Sequence, residues 1–151
     1  MVSPSGEAVT EATFAEVQRV LVAYARAIDT KDWDLFTGLF DPDCAMTTAL
    51  GTVNGAQALS RHMAVLHAPL DSSTHQITNI HVVEQQGGVT AHSYLDALLV
   101  RADHPRGPFF RVVGFYDDEL RRAEHGMVIV NRRFTAIWRE GNPAVLGAPD
   151  G

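Results

Sequence analysis

A chain of 151 residues, 46% hydrophobic and 20% charged, has the length of one domain and enough apolar material for a real core. Its formal charge of −6, with no basic run longer than Arg121-Arg122 or Arg132-Arg133, lacks the electrostatic footprint of a nucleic-acid binder. No window approaches the roughly 18 apolar residues of a membrane span, and a single cysteine, Cys44, excludes an internal disulfide and a thiolate metal cluster.

In chain order, Met1 to Glu7 has neither a basic start nor an apolar stretch, so residues 1–12 read as a flexible tail and the expected location is the cytoplasm. Thr13-Phe14-Ala15-Glu16 has the form of a capping box, and Phe14, Val17, Leu21, Tyr24 and Ile28 then recur at helical steps up to about Thr30. Asp32 can cap a short second helix through Trp33, Leu35, Phe36 and Leu39, stopped by Asp41-Pro42-Asp43. A short strand pair is expected around Ala45 to Val53. Gly55 opens a third helix, with Ala58, Leu59, His62, Met63 and Leu66 on one side, that ends at Pro69.

From Ser73 the period becomes strand-like, with long segments Ser73 to Glu84, Val89 to Arg101, Phe109 to Ala123 and Met127 to Arg139 separated by turn signals. Each is long beside a typical strand of about five or six residues, so the sheet must twist and curl. The expected fold is α+β: a cone-shaped, curved antiparallel sheet covered by the three N-terminal helices, over 13–140, enclosing a single pocket. Residues 141–151, rich in Gly and Pro, read as a flexible C-terminal tail.

Several polar residues stand where that fold would bury them. Asp29 lies about 140° around the first helix from Tyr24, at the edge of the stripe formed by Leu21, Val22 and Ala25. It either points into the cavity or solvates the helix end. A negative charge near a helix C-terminus opposes the macrodipole, so a compensating partner is expected. His75 shares a strand face with Ile77, Asn79 and His81 and is a candidate general base. By itself a strand histidine reads as a structural residue; a carboxylate such as Asp29 beside it would fix its tautomer and raise its basicity. Asp96 interrupts an apolar central strand and needs a donor or a role. Arg132 and Arg133 must point to opposite faces, and periodicity leaves open which of them faces inward.

Other histidines, among them His62, His67, His104 and His125, read as ordinary surface or packing residues, and Cys44 as a small buried hydrophobe. His75 and His81 would stand about 20 Å apart along a strand, and His92 and Asp96 about 13 Å, too far to share a metal. No phosphate loop, nucleophile elbow or reactive-cysteine context is present. The reading therefore assigns neither metal nor cofactor.

Three stretches, Tyr24 to Trp33 with the following Leu39-Phe40-Asp41-Pro42-Asp43, Ser73 to Asn79, and Gly114 to Leu120 leading to Arg132-Arg133, resemble the SnoaL-like branch of the nuclear transport factor 2-like superfamily. The resemblance covers about Phe14 to Arg139. The spacing of Tyr24, Asp29, His75, Asp96 and Arg133 is similar to the site of bile acid 7α-dehydratase, and Asp29, His75 and Arg133 also resemble that of hexachlorocyclohexane dehydrochlorinase. The resemblance implies a His/Asp dyad that removes a carbon-bound proton while other polar groups assist the leaving group. Tyr24 stands where the dehydrochlorinase carries a lysine, which favours loss of water over loss of halide.

The expected activity is thus that of a cofactor-independent dehydratase acting on a small, apolar, oxygenated substrate such as a polyketide, steroid or terpenoid, with Asp29, His75, Tyr24, Arg133 and Asp96 as its site. A polyketide cyclase or isomerase using the same base, and a non-catalytic ligand-binding or assembly module, are the alternatives. A homodimer is expected, because the outer sheet face carries apolar residues that need a cover.

Overall fold

The computed structural model describes residues 9–148. The first helix, α1, spans Glu11–Asp29 and starts two residues before the expected capping box. Thr10 is the cap: its hydroxyl accepts from the Thr13 amide at 3.1 Å, so Thr13 lies inside the first turn, buried, and the loose tail cannot extend to residue 12. Residues 1–8 lie outside the described part. The buried stripe of α1 runs through Val17, Val20, Leu21, Tyr24, Ala27 and Ile28, while Val22 faces solvent. Asp32 caps α2, Trp33–Gly38, by accepting from the Leu35 amide. β1 follows at Phe40–Thr48 and absorbs the expected stop signal at Asp41-Pro42-Asp43; β2 is Gly51–Asn54 and α3 is Ala56–His67.

The long strands are β3 Ser72–Gln85, β4 Gly88–Val100, β5 Phe109–Ala123 and β6 Gly126–Gly141. They form an antiparallel meander in a six-stranded, unclosed sheet of order β2-β1-β6-β5-β4-β3. One pairing departs from the antiparallel expectation: β1 runs parallel to β6. Parallel neighbours need a long crossover, and here α3 and the four strands β2 to β5 supply it. A turn signal cannot announce such a pairing, because its partners are remote in sequence.

Single-residue irregularities bend the sheet around the helices. In β3 the register shifts between Thr78 and His81, where Asn79 adopts a left-handed φ of 53°. In β6, Leu120 pairs with Ile129 and Glu119 with Asn131, leaving Val130 unpaired; Gly114 pairs with Ala136 and Val113 with Trp138, leaving Ile137 unpaired. Gly114 is required at the second bulge, since an added Cβ would overlap the Thr135 carbonyl oxygen.

Helix faces and the concave sheet face meet in one main core that includes Val17, Leu21, Tyr24, Phe36, Leu59, Leu95, Tyr116 and Ile129. A second cluster, Leu70, Leu99, Phe110 and Val145, draws in the segment expected to be a loose tail. Val145 is fully buried in a 3-10 turn, Asn142 donates to the Phe109 carbonyl and Gly147 to the Leu66 carbonyl, so one apolar side chain and two backbone bonds dock residues 142–147. Residues 149–151 lie outside the described part. No described helix is long and apolar enough to cross a membrane.

Candidate active site

Asp29, the last residue of α1, meets the start of β3. Its Oδ1 accepts from Ser73 Oγ at 2.8 Å and from His75 Nδ1 at 2.7 Å, and its Oδ2 from the His75 amide at 3.0 Å. These donors answer the unfavourable helix-end charge: a carboxylate facing the negative end of the dipole is held by three partners from one strand. Burial raises its pKa, but the hydrogen bonds and charge of His75, with Ser73, outweigh burial and hold the carboxyl below its ordinary value. Asp29 therefore accepts as a carboxylate and His75 Nδ1 donates, which in the neutral imidazole puts the lone pair at Nε2. The His75 side chain is only 7% exposed against 23% for Asp29, so the dyad is reached from solvent on the carboxylate side.

Tyr24 stands over the dyad, its ring perpendicular to His75 at 6.5 Å between centroids. Its hydroxyl lies 3.2 Å from that of Tyr116, and the Arg132 guanidinium is stacked 4.2 Å from the Tyr24 ring and 3.8 Å from the Tyr116 ring. Arg132 donates to Asp118 through Nε at 2.7 Å and Nη2 at 2.8 Å, with both side chains fully buried. Burial opposes the charge on Arg132, but Asp118 outweighs it and raises the pKa, keeping the guanidinium protonated. Burial first, then the neighbouring Tyr24, pushes the Tyr116 phenol well above its usual value, so it remains a donor.

Two candidates from the sequence lie elsewhere. In β4 the odd-numbered residues Ser93, Leu95 and Ala97 face the core, which turns Asp96 outward; there Arg111 provides the donor it needs, at 2.9 and 2.6 Å. Arg133 is paired across the sheet with Asp117 on the same outer face, while its neighbour Arg132 faces inward. The bulge at Val130 sets that choice by shifting the alternation by one residue. Asp118 and Arg132 thus occupy the interior in place of Asp96 and Arg133, joined there by Tyr116, Ser73 and His67. Asp117-Asp118 sits beside the Arg132-Arg133 pair in β5 and β6, so a cross-strand charge match is the signal by which sequence reasoning can find the buried pair.

The expected single enclosed pocket takes a different form. A hollow of about 460 Å³ opens between α1 and the β5–β6 turn, and its walls include neither Asp29 nor His75; others open along the sheet. The dyad is instead packed among Tyr24, His67 and their aromatic neighbours. Three buried polar atoms have no partner among the described residues: His67 Nε2, Ser93 Oγ and Arg132 Nη1. Unpaired polar atoms are costly in a core, so each of the three is a candidate contact for a polar guest.

A curved, unclosed six-stranded sheet carrying three helices is the architecture of the nuclear transport factor 2-like cone. Residues 12–133 match the SnoaL-like domain, and the chain belongs to that family. Among solved structures it is similar to protein Kfla4162 of Kribbella flavida, with 22% identity over 89% of this chain and 97% of that one and a TM-score of 0.81. A candidate scytalone dehydratase of Novosphingobium aromaticivorans is 15% identical over 87% of this chain and 88% of its own, with a TM-score of 0.76. A type 2 hexachlorocyclohexane dehydrochlorinase, LinA, is 16% identical over 93% of this chain and 95% of its own, at 0.74. At such identities the likeness establishes the fold, and the chemistry must be argued from side chains. No curated protein matches the chain by sequence.

Proposed function

We propose that this protein is a cofactor-independent lyase of the dehydratase type. His75 Nε2 takes a proton from a carbon next to a carbonyl or conjugated group, and Asp29 holds the imidazole in the required tautomer and stabilises the imidazolium that forms. The electron pair released from carbon moves toward the carbonyl oxygen, where Arg132 Nη1, a buried donor without a partner among the described residues, meets the developing negative charge. The β-hydroxyl leaves with a proton from the Tyr24–Tyr116 hydroxyl pair, and the proton held by His75 returns to that pair, so one molecule of water is lost overall. Positioned proton transfer contributes about 10²- to 10⁴-fold, and oxyanion stabilisation in a dry site the larger remainder.

The observation that carries this reading is the 2.7 Å contact between His75 Nδ1 and Asp29 Oδ1, made by residues 46 apart in the chain on an inward-facing strand position. The substrate class follows from the surroundings. Tyr24, Phe36, Phe40, Tyr116 and Phe134 form a continuous chain of ring contacts at 5.0 to 6.1 Å, suited to a flat, conjugated, oxygenated molecule of polyketide type. The test is a panel of β-hydroxy ketones, with product mass and deuterium incorporation as readouts. Loss of water that slows by about 10²-fold or more in His75→Asn supports the dehydratase. Product of unchanged mass assigns the cyclase or isomerase alternative, and an undiminished rate in His75→Asn ends the proposal. A homodimer through the outer sheet face, where Tyr94, Ile137 and Trp138 are exposed, belongs to the same reading and is measurable by sedimentation.

A further inference from the structure

The proposed reaction has no use for the imidazole of His67, although it is buried beside the base. Its Nδ1 lies 2.9 Å from the carbonyl oxygen of Met63, one turn back on α3. A carbonyl can only accept, so Nδ1 carries the proton and Nε2 carries a lone pair. The residue is 5% exposed, and that Nε2 meets no donor among the described residues. Burial, ahead of all other influences, pushes the imidazole from 6.5 down to about 4, so the ring is neutral and its lone pair available at neutral pH.

The geometry selects the guest. The His67 ring stands 5.9 Å from that of His75 and 6.0 Å from Trp33, centroid to centroid. His75 gives its Nδ1 proton to Asp29, so in the neutral form both rings hold their lone pair at Nε2, and no donor meets that of His67 among the described residues. An anion would be repelled by such a pair. Two nitrogens without a third side-chain ligand make a poor metal site, and no group of three potential ligands occurs among the described residues. A neutral imidazole of such low basicity is also a poor source of protons for a leaving hydroxyl. An O–H donor that stays on the substrate satisfies all of these conditions.

We infer that His67 Nε2 is a fixed acceptor for a hydroxyl that the substrate keeps through the reaction, which defines the substrate as a hydroxylated carbon acid with an alcohol or phenol O–H beside the reacting C–H. The inference rests on the reading of His75 as the base, since it takes its position from that proton transfer. His67 is then a specificity residue: it sets which molecules are held with their C–H toward His75, and a site built around a substrate hydroxyl rejects the analogue that lacks one.

Phenol and anisole, which share a ring and differ in the donor, are the probes. In protein labelled with ¹⁵N in its histidine rings, the His67 signals at neutral pH should report a protonated Nδ1 and a bare Nε2, and phenol should move the Nε2 signal while anisole leaves it in place. The full-length protein should prefer phenol roughly tenfold, and a folded His67→Phe variant should retain less than about twofold of that preference. A protonated Nε2 at neutral pH, an equal or absent response to the two probes, or a preference that survives His67→Phe would each overturn the inference. His75→Asn separates this result from the reading beneath it: the phenol preference should persist there, and full turnover in His75→Asn would remove the base while leaving the His67 measurement intact.

Discussion

Replacing Arg132 by Met removes one charge of an ion pair whose side chains are both fully buried, at 2.7 and 2.8 Å. Met keeps much of the volume and the apolar contact with Tyr24 and Tyr116, so the main loss is electrostatic. Asp118 is left without its donor, and breaking a buried pair in this way costs about 3–5 kcal/mol. For a chain of this length that corresponds to a fall of roughly 6–20 °C in Tm. Removing both charges with Asp118→Leu and Arg132→Met should cost less than the sum of the single changes, by several kcal/mol on the order expected for a buried pair. Urea unfolding of the four proteins at pH 7 measures every term of the cycle. A single-variant cost below about 1 kcal/mol, or additivity of the two changes, would refute the reasoning.

For His67, whose folded pKa is about 4 against an ordinary 6.5, the unfolded chain takes up a proton that the folded chain refuses as pH falls between those values. Wild type should therefore lose about 3 kcal/mol relative to His67→Phe across that window, and parallel stability curves would contradict this. Asp29 has the opposite folded-state preference: its depressed pKa gives stability that is fully present above the ordinary 3.8 and lost as pH falls through the folded value, a loss that Asp29→Asn should abolish in acid unfolding curves. Asp96→Asn and Arg133→Gln change only the outer face and should leave turnover unaltered, with stability changes within about 1 kcal/mol by thermal melts. Gly114→Ala forces a Cβ against the Thr135 carbonyl and should cost about 1–3 kcal/mol in urea.

The elements were largely legible because their patterns are local. Val17, Leu21, Tyr24 and Ile28 mark the buried side of α1, and the change of period at Ser73 marks the meander within a residue or two of β3 to β5. The physical objection to a bare carboxylate at a helix end anticipated that Asp29 needs a partner, and Ser73 and His75 provide one. The inward set on β6 was not legible, because strict alternation fails twice, at Val130 and Ile137, and each failure exchanges the two faces. Asp96 misled for a related reason: its strand is apolar on both faces, so sequence alone did not indicate that its outward side offers Arg111. His67 has the sequence context of a packing residue, and only the lack of a partner for Nε2 among the described residues distinguishes it, a property that no sequence pattern carries.

The docked C-terminal segment has a bearing on how the site comes into being. Gly147 bonds to Leu66, next to His67, while Val145 wedges against Leu70 and Leu99 near the start of β3. During synthesis α3 with His67 and the start of β3 with His75 leave the ribosome long before the segment that braces them. Assembly of the site must therefore wait until residues 142–147 have been made, and a nascent protein stalled before residue 142 would hold every proposed reacting group yet lack the clasp that fixes the end of α3 beside β3.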